Sequence, residues 1–390
     1  MKIAILGYTA TSYGSHTYLR NFLPLLAELD HSNQYEVFLP AECAKDLEVR
    51  QPNFRTRLGG IVTRSGWWRV AWEQLLLPWI LWRDQADAVY TTHNLAILLS
   101  PIPSIILIQN VEPFFAGKFP TAPWLRPRLW LLRVVSTLSL RKSRKILAIS
   151  EWERDFLVER FRVPADKIIV SYPGVAEAFR PPGTESATLL HERLGLEPPY
   201  ILAATRLAGY GNLLNLAKAY ASLFKQGKVA MPLVVPGEVW DSRYIGEVNK
   251  FLAKVGCTGQ VKFLGYVPHD QMQLLFGSAQ CLVFPSLLEA CGTVLIEALA
   301  CGTPIICSRL RPLTDVCGDA AVYFNGEDPD SIADKLHEVL RDTSLRKELS
   351  ERGLARAARF SWRNGAEKMY QVFEELKPLS DPKRVRAAAD

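Results

Sequence analysis

The chain has 390 residues, 48% of them hydrophobic and 22% charged. This is the balance of an ordinary globular protein of about two domains, and it excludes wholesale disorder and collagen-like structure. Its 46 Lys and Arg outnumber 40 Asp and Glu. Residues 1–172 hold 21 basic and 15 acidic side chains, so the whole excess lies there and points to an anionic partner for the first half.

Taken in chain order, the N-terminal MKIAILG has too short an apolar run for a signal peptide and suits a buried first strand. KIAIL (2–6) reads as a strand and residues 17–29 as a helix. YEVFL (35–39), DAVYTT (87–92), SIILIQ (104–109), KILAIS (145–150) and KIIVSY (167–172) read as further strands, most with helical stretches between. Residues 88–111 hold no acid, Lys or Arg, but Pro101 and Pro103 favour two buried strands around a loop over a membrane span. The apolar runs do not alternate, as expected of strands buried on both faces. A proline- and glycine-rich break at 172–183 interrupts the series. It restarts with YILAAT (200–205), PLVVPG (232–237), VKFLG (261–265), CLVFP (281–285), PIIC (304–307) and AVYF (321–324). Two doubly wound α/β domains follow from this order, 1–175 and 183–360, with a cleft between them. Seven cysteines without C-x-x-C spacing argue against disulfides and thiolate zinc, and for a reducing cytosol.

The segment that carries chemistry is PSLLEACGTVLIEALACGTP (285–304). It follows an apolar strand, places Glu289 in a turn, and opens a helix at Gly292 that carries Glu297 and stops at Gly302-Thr-Pro304. A helix N-terminus offers unpaired N–H groups to a diphosphate, and glycine admits a ligand close to the backbone. A carboxylate one turn into the helix suits ribose hydroxyls, and one in the turn suits a sugar. Two carboxylates also serve glycosidases, and spacing in sequence does not separate the two chemistries.

This segment resembles the E-x7-E motif of the retaining glycosyltransferases of family 4, which have the GT-B fold. ATRLAGYGN (204–212), FLGYVPHDQMQLLFGSAQCLVFPS (263–286), RPLTDVCGDAAVYFNGEDPDSIA (311–333), ILAISEWERDFL (146–157) and FSWRNGAEKMYQVFEEL (360–376) resemble other family segments, so the likeness spans nearly the whole chain. The resemblance implies sugar transfer from a nucleoside-diphosphate sugar with retention of configuration, and no metal or other cofactor. It implies that Glu297 holds the donor ribose and Glu289 sits by the donor sugar. The backbone of Ala290, Cys291, Gly292 and Thr293 would line sugar and phosphate, and Arg206 would stabilise the departing diphosphate. It also implies that the last helix, about 361–378, packs back on the first domain, which binds the acceptor.

Several positions depart from the family pattern. Gly211 stands where relatives carry a phosphate-facing Lys, and Lys218 is the nearest downstream replacement. Ala290-Cys291 replaces the common Gly-Phe, which alters the sugar pocket. Gln109-Asn110 replaces His-Asp, leaving Asn110 as a hydrogen-bonding site candidate without a titratable ring. Gly14, with His16 two residues on, partly matches a glycine-rich donor loop, and His93 follows its own strand as a further sugar-proximal candidate. The D-x-D at Asp328 and Asp330 suits a helix cap better than a metal.

Seven of the ten tryptophans lie between residues 67 and 130: Trp67, Trp68, Trp72, Trp79, Trp82, Trp124 and Trp130. Residues 118–145 add eight basic side chains and no acid. Such a composition suits a membrane surface carrying anionic lipid, and equally a core with solvated arginines around it. No nucleic-acid recognition motif accompanies it. The expected protein is therefore a cytoplasmic glycosyltransferase, peripheral at the inner face of a membrane, acting on a glycan or lipid-linked acceptor. A nucleotide-sugar-binding scaffold that has lost catalysis, and a sugar-nucleotide epimerase of the same fold, are the alternatives.

Overall fold

The computed structural model describes residues 1–10, 13–59, 66–115, 117–119, 126–183 and 185–377. Trp124, the side chain of Trp67 and residue 378 of the expected closing helix lie outside the described residues. The chain forms two compact units, residues 1–114 with 129–174 and 361 onward, and residues 115–128 with 175–360.

The first part of the chain runs β1 (Lys2–Leu6), α1 (Tyr13–Leu29), β2 (Gln34–Pro40), β3 (Phe54–Gly59), α2 (Gly66–Leu75), α3 (Leu77–Arg83), β4 (Ala88–Thr91), β5 (Ser104–Ile108), α4 (Arg126–Lys142), β6 (Lys145–Ala148), α5 (Glu151–Phe161) and β7 (Ile168–Val170). The second runs α6 (Ser186–Leu194), β8 (Ile201–Leu202), α7 (Leu213–Lys225), β9 (Leu233–Pro236), α8 (Ser242–Val255), β10 (Val261–Gly265), α9 (His269–Ser278), β11 (Cys281–Phe284), α10 (Thr293–Ala300), β12 (Ile305–Ser308), α11 (Arg311–Cys317), β13 (Ala321–Phe324), α12 (Pro329–Arg341) and α13 (Thr343–Ala357). The closing helix α14 (Trp362–Leu376) belongs to the first unit.

Both sheets are parallel, ordered β3-β2-β1-β4-β5-β6-β7 and β10-β9-β8-β11-β12-β13. Strand order reverses between β1 and β4 in one sheet and between β8 and β11 in the other. Loops leaving the carboxyl ends of those strands diverge there and open a crevice. The central strands are buried on both faces, as their Val- and Ile-rich runs require. β3 escapes that pattern: Arg55, Thr56 and Arg57 make a continuous polar run, which the strand tolerates because it pairs with β2 alone at the sheet edge. Several strands are shorter than their apolar runs. β6 stops at Ala148 because Ser150 caps α5, its hydroxyl accepting the Glu153 N–H at 3.1 Å while the Glu153 carboxylate accepts from Ile149 N–H at 2.7 Å. Among the described residues no helix is long and apolar enough to cross a membrane.

The C-terminal helix returns to the first unit through aromatic packing. Trp362 meets Tyr18 edge-on at 5.6 Å between ring centroids, and Phe373 packs on Tyr35 and Tyr90. The crossing is close: a Cβ on Gly174 would lie 2.1 Å from the Trp362 backbone nitrogen. Gly174→Ala should therefore destabilise the protein by roughly 1–3 kcal/mol through overpacking. Urea unfolding followed by tryptophan fluorescence checks this, and an unchanged midpoint would refute so close an approach.

Candidate active site

In the second unit, β8 leads into a tight turn that carries Arg206. The turn is built around Asn212, which takes a left-handed conformation (φ 61°) and sends its amide to Pro285 O at 3.0 Å and Gly326 O at 2.7 Å. One buried side chain thus joins the loops that follow β8, β11 and β13. Leu287 N–H donates to Tyr210 O at 2.7 Å and reinforces the β8–β11 link. Gly211 packs against its own turn, where a Cβ would lie 1.8 Å from Arg206 O. A lysine at 211 does not fit this turn. Lys218 does not replace it there either, since its ammonium reaches Asn215 Oδ1 at 3.3 Å on the exposed face of α7.

Arg206 instead finds an aromatic support. Its guanidinium lies 4.1 Å from the ring centroid of Trp240, in the loop after β9. That loop runs alongside, with Asp241 N–H donating to Leu207 O at 3.1 Å. A guanidinium stacked by its face keeps its N–H donors in the ring plane for an anion. Sequence reasoning missed Trp240, because its pairing with Arg206 spans two loops.

Across the switch point, β11 leads to Glu289 and then to α10. Gly292, with φ 86°, is the N-cap, and a Cβ there would strike Leu313 at 2.6 Å. Ala290 and Cys291 are buried and Thr293 is half-buried. Burial pushes the Glu289 carboxyl up to about 7, against the opposing pull of the Ser286 hydroxyl and the Arg206 charge. Glu297 sits one turn into α10, nearly buried, with Oε1 2.9 Å from His269 Nε2. Phe179 holds that imidazole edge-on at 4.9 Å. The sequence offers no sign of the His269 contact, because 28 residues separate the partners.

The first-unit candidates lie at the ends of β1, β4 and β5. Gly14 is exposed near the start of α1, and the adjacent Ser15 hydroxyl donates to Gln109 Oε1 at 3.1 Å. His16 is half-buried beside it. Asn110 is exposed, and its Oδ1 accepts the Glu112 N–H at 2.8 Å. Asn94 organises this edge: its Oδ1 accepts the Gln109 N–H at 3.2 Å and its amide donates to Asn110 O. His93, the further sugar-proximal candidate, follows β4. It is buried, with Nε2 3.3 Å from the fully buried Glu73, and so ties α2 to the end of β4. Among the described residues no group of three or more His, Cys, Asp or Glu is placed to hold a metal. Asp328 caps α12, accepting the Asp330 N–H at 3.0 Å.

Comparison with known proteins bears on this arrangement. Residues 13–179 match the family model "Glycosyltransferase Family 4", and residues 190–356 match "Glycosyl transferases group 1". The chain belongs to glycosyltransferase family 4. Among similar proteins is the O-antigen chain mannosyltransferase B of Escherichia coli, 28% identical over 290 residues, covering 73% of this chain and 74% of that one. A D-inositol 3-phosphate glycosyltransferase of Corynebacterium jeikeium is 26% identical over 60% of this chain and 58% of its own length. Sucrose-phosphate synthase of Thermosynechococcus elongatus (TM-score 0.76, 18% identity, 96% and 99% coverage) shares the fold. So does WaaG, a glycosyltransferase involved in lipopolysaccharide biosynthesis (TM-score 0.72, 16% identity, 95% and 99% coverage). These likenesses make the architecture GT-B.

The glycosyltransferase thus has two carboxylates in unlike surroundings, one raised by burial and one partnered by histidine. The folded-state value of Glu289, about 7, lies above the ordinary 4.5, so protonation favours the folded state. Its contribution to stability is complete below about pH 4.5 and is lost as pH rises through about 7. Glu289→Gln should remove that slope, a difference of up to about 3 kcal/mol across the window. Thermal unfolding of both proteins from acid to neutral pH tests this, and parallel curves would contradict it.

Proposed function

We propose that this glycosyltransferase moves a hexosyl group, with retention of configuration, from a nucleoside-diphosphate sugar to a glycan or lipid-linked acceptor. The observation that carries the reading is the convergence at the β8–β11 switch point. Arg206, Glu289 and the N-terminus of α10 meet there, and Glu297 lies one turn further on. The helix N-terminus and the Arg206 fork receive the diphosphate. Glu297 accepts hydrogen bonds from ribose, and Glu289 meets the transferred sugar. As the glycosidic bond lengthens, negative charge grows on the diphosphate, and a fixed guanidinium lowers that barrier. The donor phosphate takes the acceptor proton on the same face of the sugar. No metal is needed in this scheme. The first unit, with Gly14, His16 and Asn110, binds the acceptor.

The similar mannosyltransferases favour mannose as the sugar and cell-envelope polysaccharide or glycolipid as the product. An acceptor of that kind places the enzyme in the cytoplasm, peripheral to the inner face of the membrane. A second reading rests on the Gly211 turn, which lacks the usual lysine: the chain binds nucleotide sugar without transferring it.

Thermal stabilisation by UDP, GDP, ADP and TDP tests the reading. A ligand at 100 times its Kd adds about 2.7 kcal/mol. One nucleotide should stabilise the wild type and fail with Glu297→Ala. Trp240→Ala should weaken that nucleotide by about 0.5–2 kcal/mol, the range of a cation–π contact, and less than Arg206→Ala. No shift with any nucleotide would sink the donor site. Binding without single-turnover transfer to a lipid-linked acceptor would favour the scaffold, and conversion of the donor without acceptor would favour an epimerase.

A further inference from the structure

The tryptophans of the first unit do not all serve its core. α3 turns Leu77 and Leu81 inward onto β1 and β4, with Trp72 of α2 packed against the same cluster. The opposite side is bare. Trp68, Trp79, Trp82 and Trp130 are 73, 57, 67 and 65% exposed. At about 150–250 Å² per aromatic side chain, they show on the order of 500 Å². That reaches the top of the range for the largest apolar patch of a typical monomer, about 300–600 Å².

These residues belong to adjoining surface. Ala96 is held from two sides, its carbonyl accepting from Gln74 of α2 at 3.0 Å and its N–H donating to Ser139 of α4 at 2.9 Å. Leu75, Leu99 and Leu138 flank this clamp, and all are exposed. Along α4, Trp130, Val134 and Leu138 follow at i, i+4 and i+8 and form one exposed stripe.

The unpaired charge of these three helices has one sign. The one acid within α2, α3 and α4 is Glu73, which is buried between Arg69 and His93. α4 ends in exposed Arg141 and Lys142. Arg83 lies over the Trp79 ring at 5.1 Å, and its charge is paired with Asp84 at 2.8 Å just beyond α3. A second copy of the chain would bring like charges together, which is unfavourable. An apolar, tryptophan-rich face whose helices carry exposed basic side chains, and no acid but the buried Glu73, matches an anionic lipid surface, where indoles sit at headgroup depth and Lys and Arg meet lipid phosphate.

We propose that the face formed by α2, α3 and α4 docks on anionic phospholipid, with Trp79, Trp82 and Trp130 inserting at the headgroup level. The inference rests on the membrane-peripheral part of the functional reading and names the surface that carries it. The test is co-sedimentation of the full chain with vesicles of phosphatidylcholine, with and without phosphatidylglycerol, while tryptophan quenching by brominated lipid is followed. The wild type should sediment with the anionic vesicles only, and its emission should be quenched. Trp79→Ser/Trp82→Ser and Arg141→Gln/Lys142→Gln should each partition about tenfold more weakly, with unchanged melting temperature and nucleotide response. A wild type that stays in the supernatant at low salt, or tryptophan variants that bind as well as it does, would overturn the proposal. So would a dimer abolished by those variants, which would assign the face to a second copy. A protein that binds vesicles but transfers no sugar would end the enzymatic reading and leave the docking face standing.

Discussion

Asn212 is the constraint on which the geometry around Arg206 and Glu289 depends. Its left-handed backbone lets the turn at Gly209–Gly211 pass directly into α7, and its amide holds the carbonyls of Pro285 and Gly326. Three loops from non-adjacent parts of the chain are thereby fixed at one end of one sheet. Without that clamp, Arg206 and Glu289 would sit on independently mobile loops, and pre-organised electrostatics would be lost. The same turn explains why position 211 is glycine: the tight approach to the Arg206 carbonyl leaves no room for a side chain. Trp240 then supports Arg206 by its ring face and holds the cation in place at this turn.

The carboxylates of the protein show how surroundings assign roles. Glu289 is raised by burial to near neutrality, where it can accept or donate a hydrogen bond. Glu297 meets His269, which orients it. Glu73 is completely buried, and its partners Arg69 and His93 bind it to the core. That burial withdraws a negative charge from the outer face of α2. Internal pairing and the sign of the exterior are therefore linked in the first unit.

Much of the architecture was legible in the amino-acid order. Apolar runs separated by amphipathic stretches imply parallel strands with crossover helices, and the proline- and glycine-rich break separates two such series. The strand–turn–glycine–helix pattern around Glu289 identifies a phosphate-suited helix start from local chemistry alone. The edge strand β3 was not legible, because its polar run Arg55-Thr56-Arg57 lacks the apolar signature of a strand buried on both faces. Tryptophan counts were ambiguous, since composition does not say which indoles face inward.

The sequence by itself determined the two-fold repetition of β-α units, the position of the anion-suited helix and the basic excess of the first half. These are local or additive properties, carried by neighbours in the chain. Only the tertiary structure decided that Trp240 supports Arg206, that His269 meets Glu297, that His93 is spent on Glu73 and that Trp79 and Trp82 face outward. Each is a contact, or a lack of one, between segments far apart in sequence, and it comes into being only when the strands take their order and bring separate loops to one sheet edge.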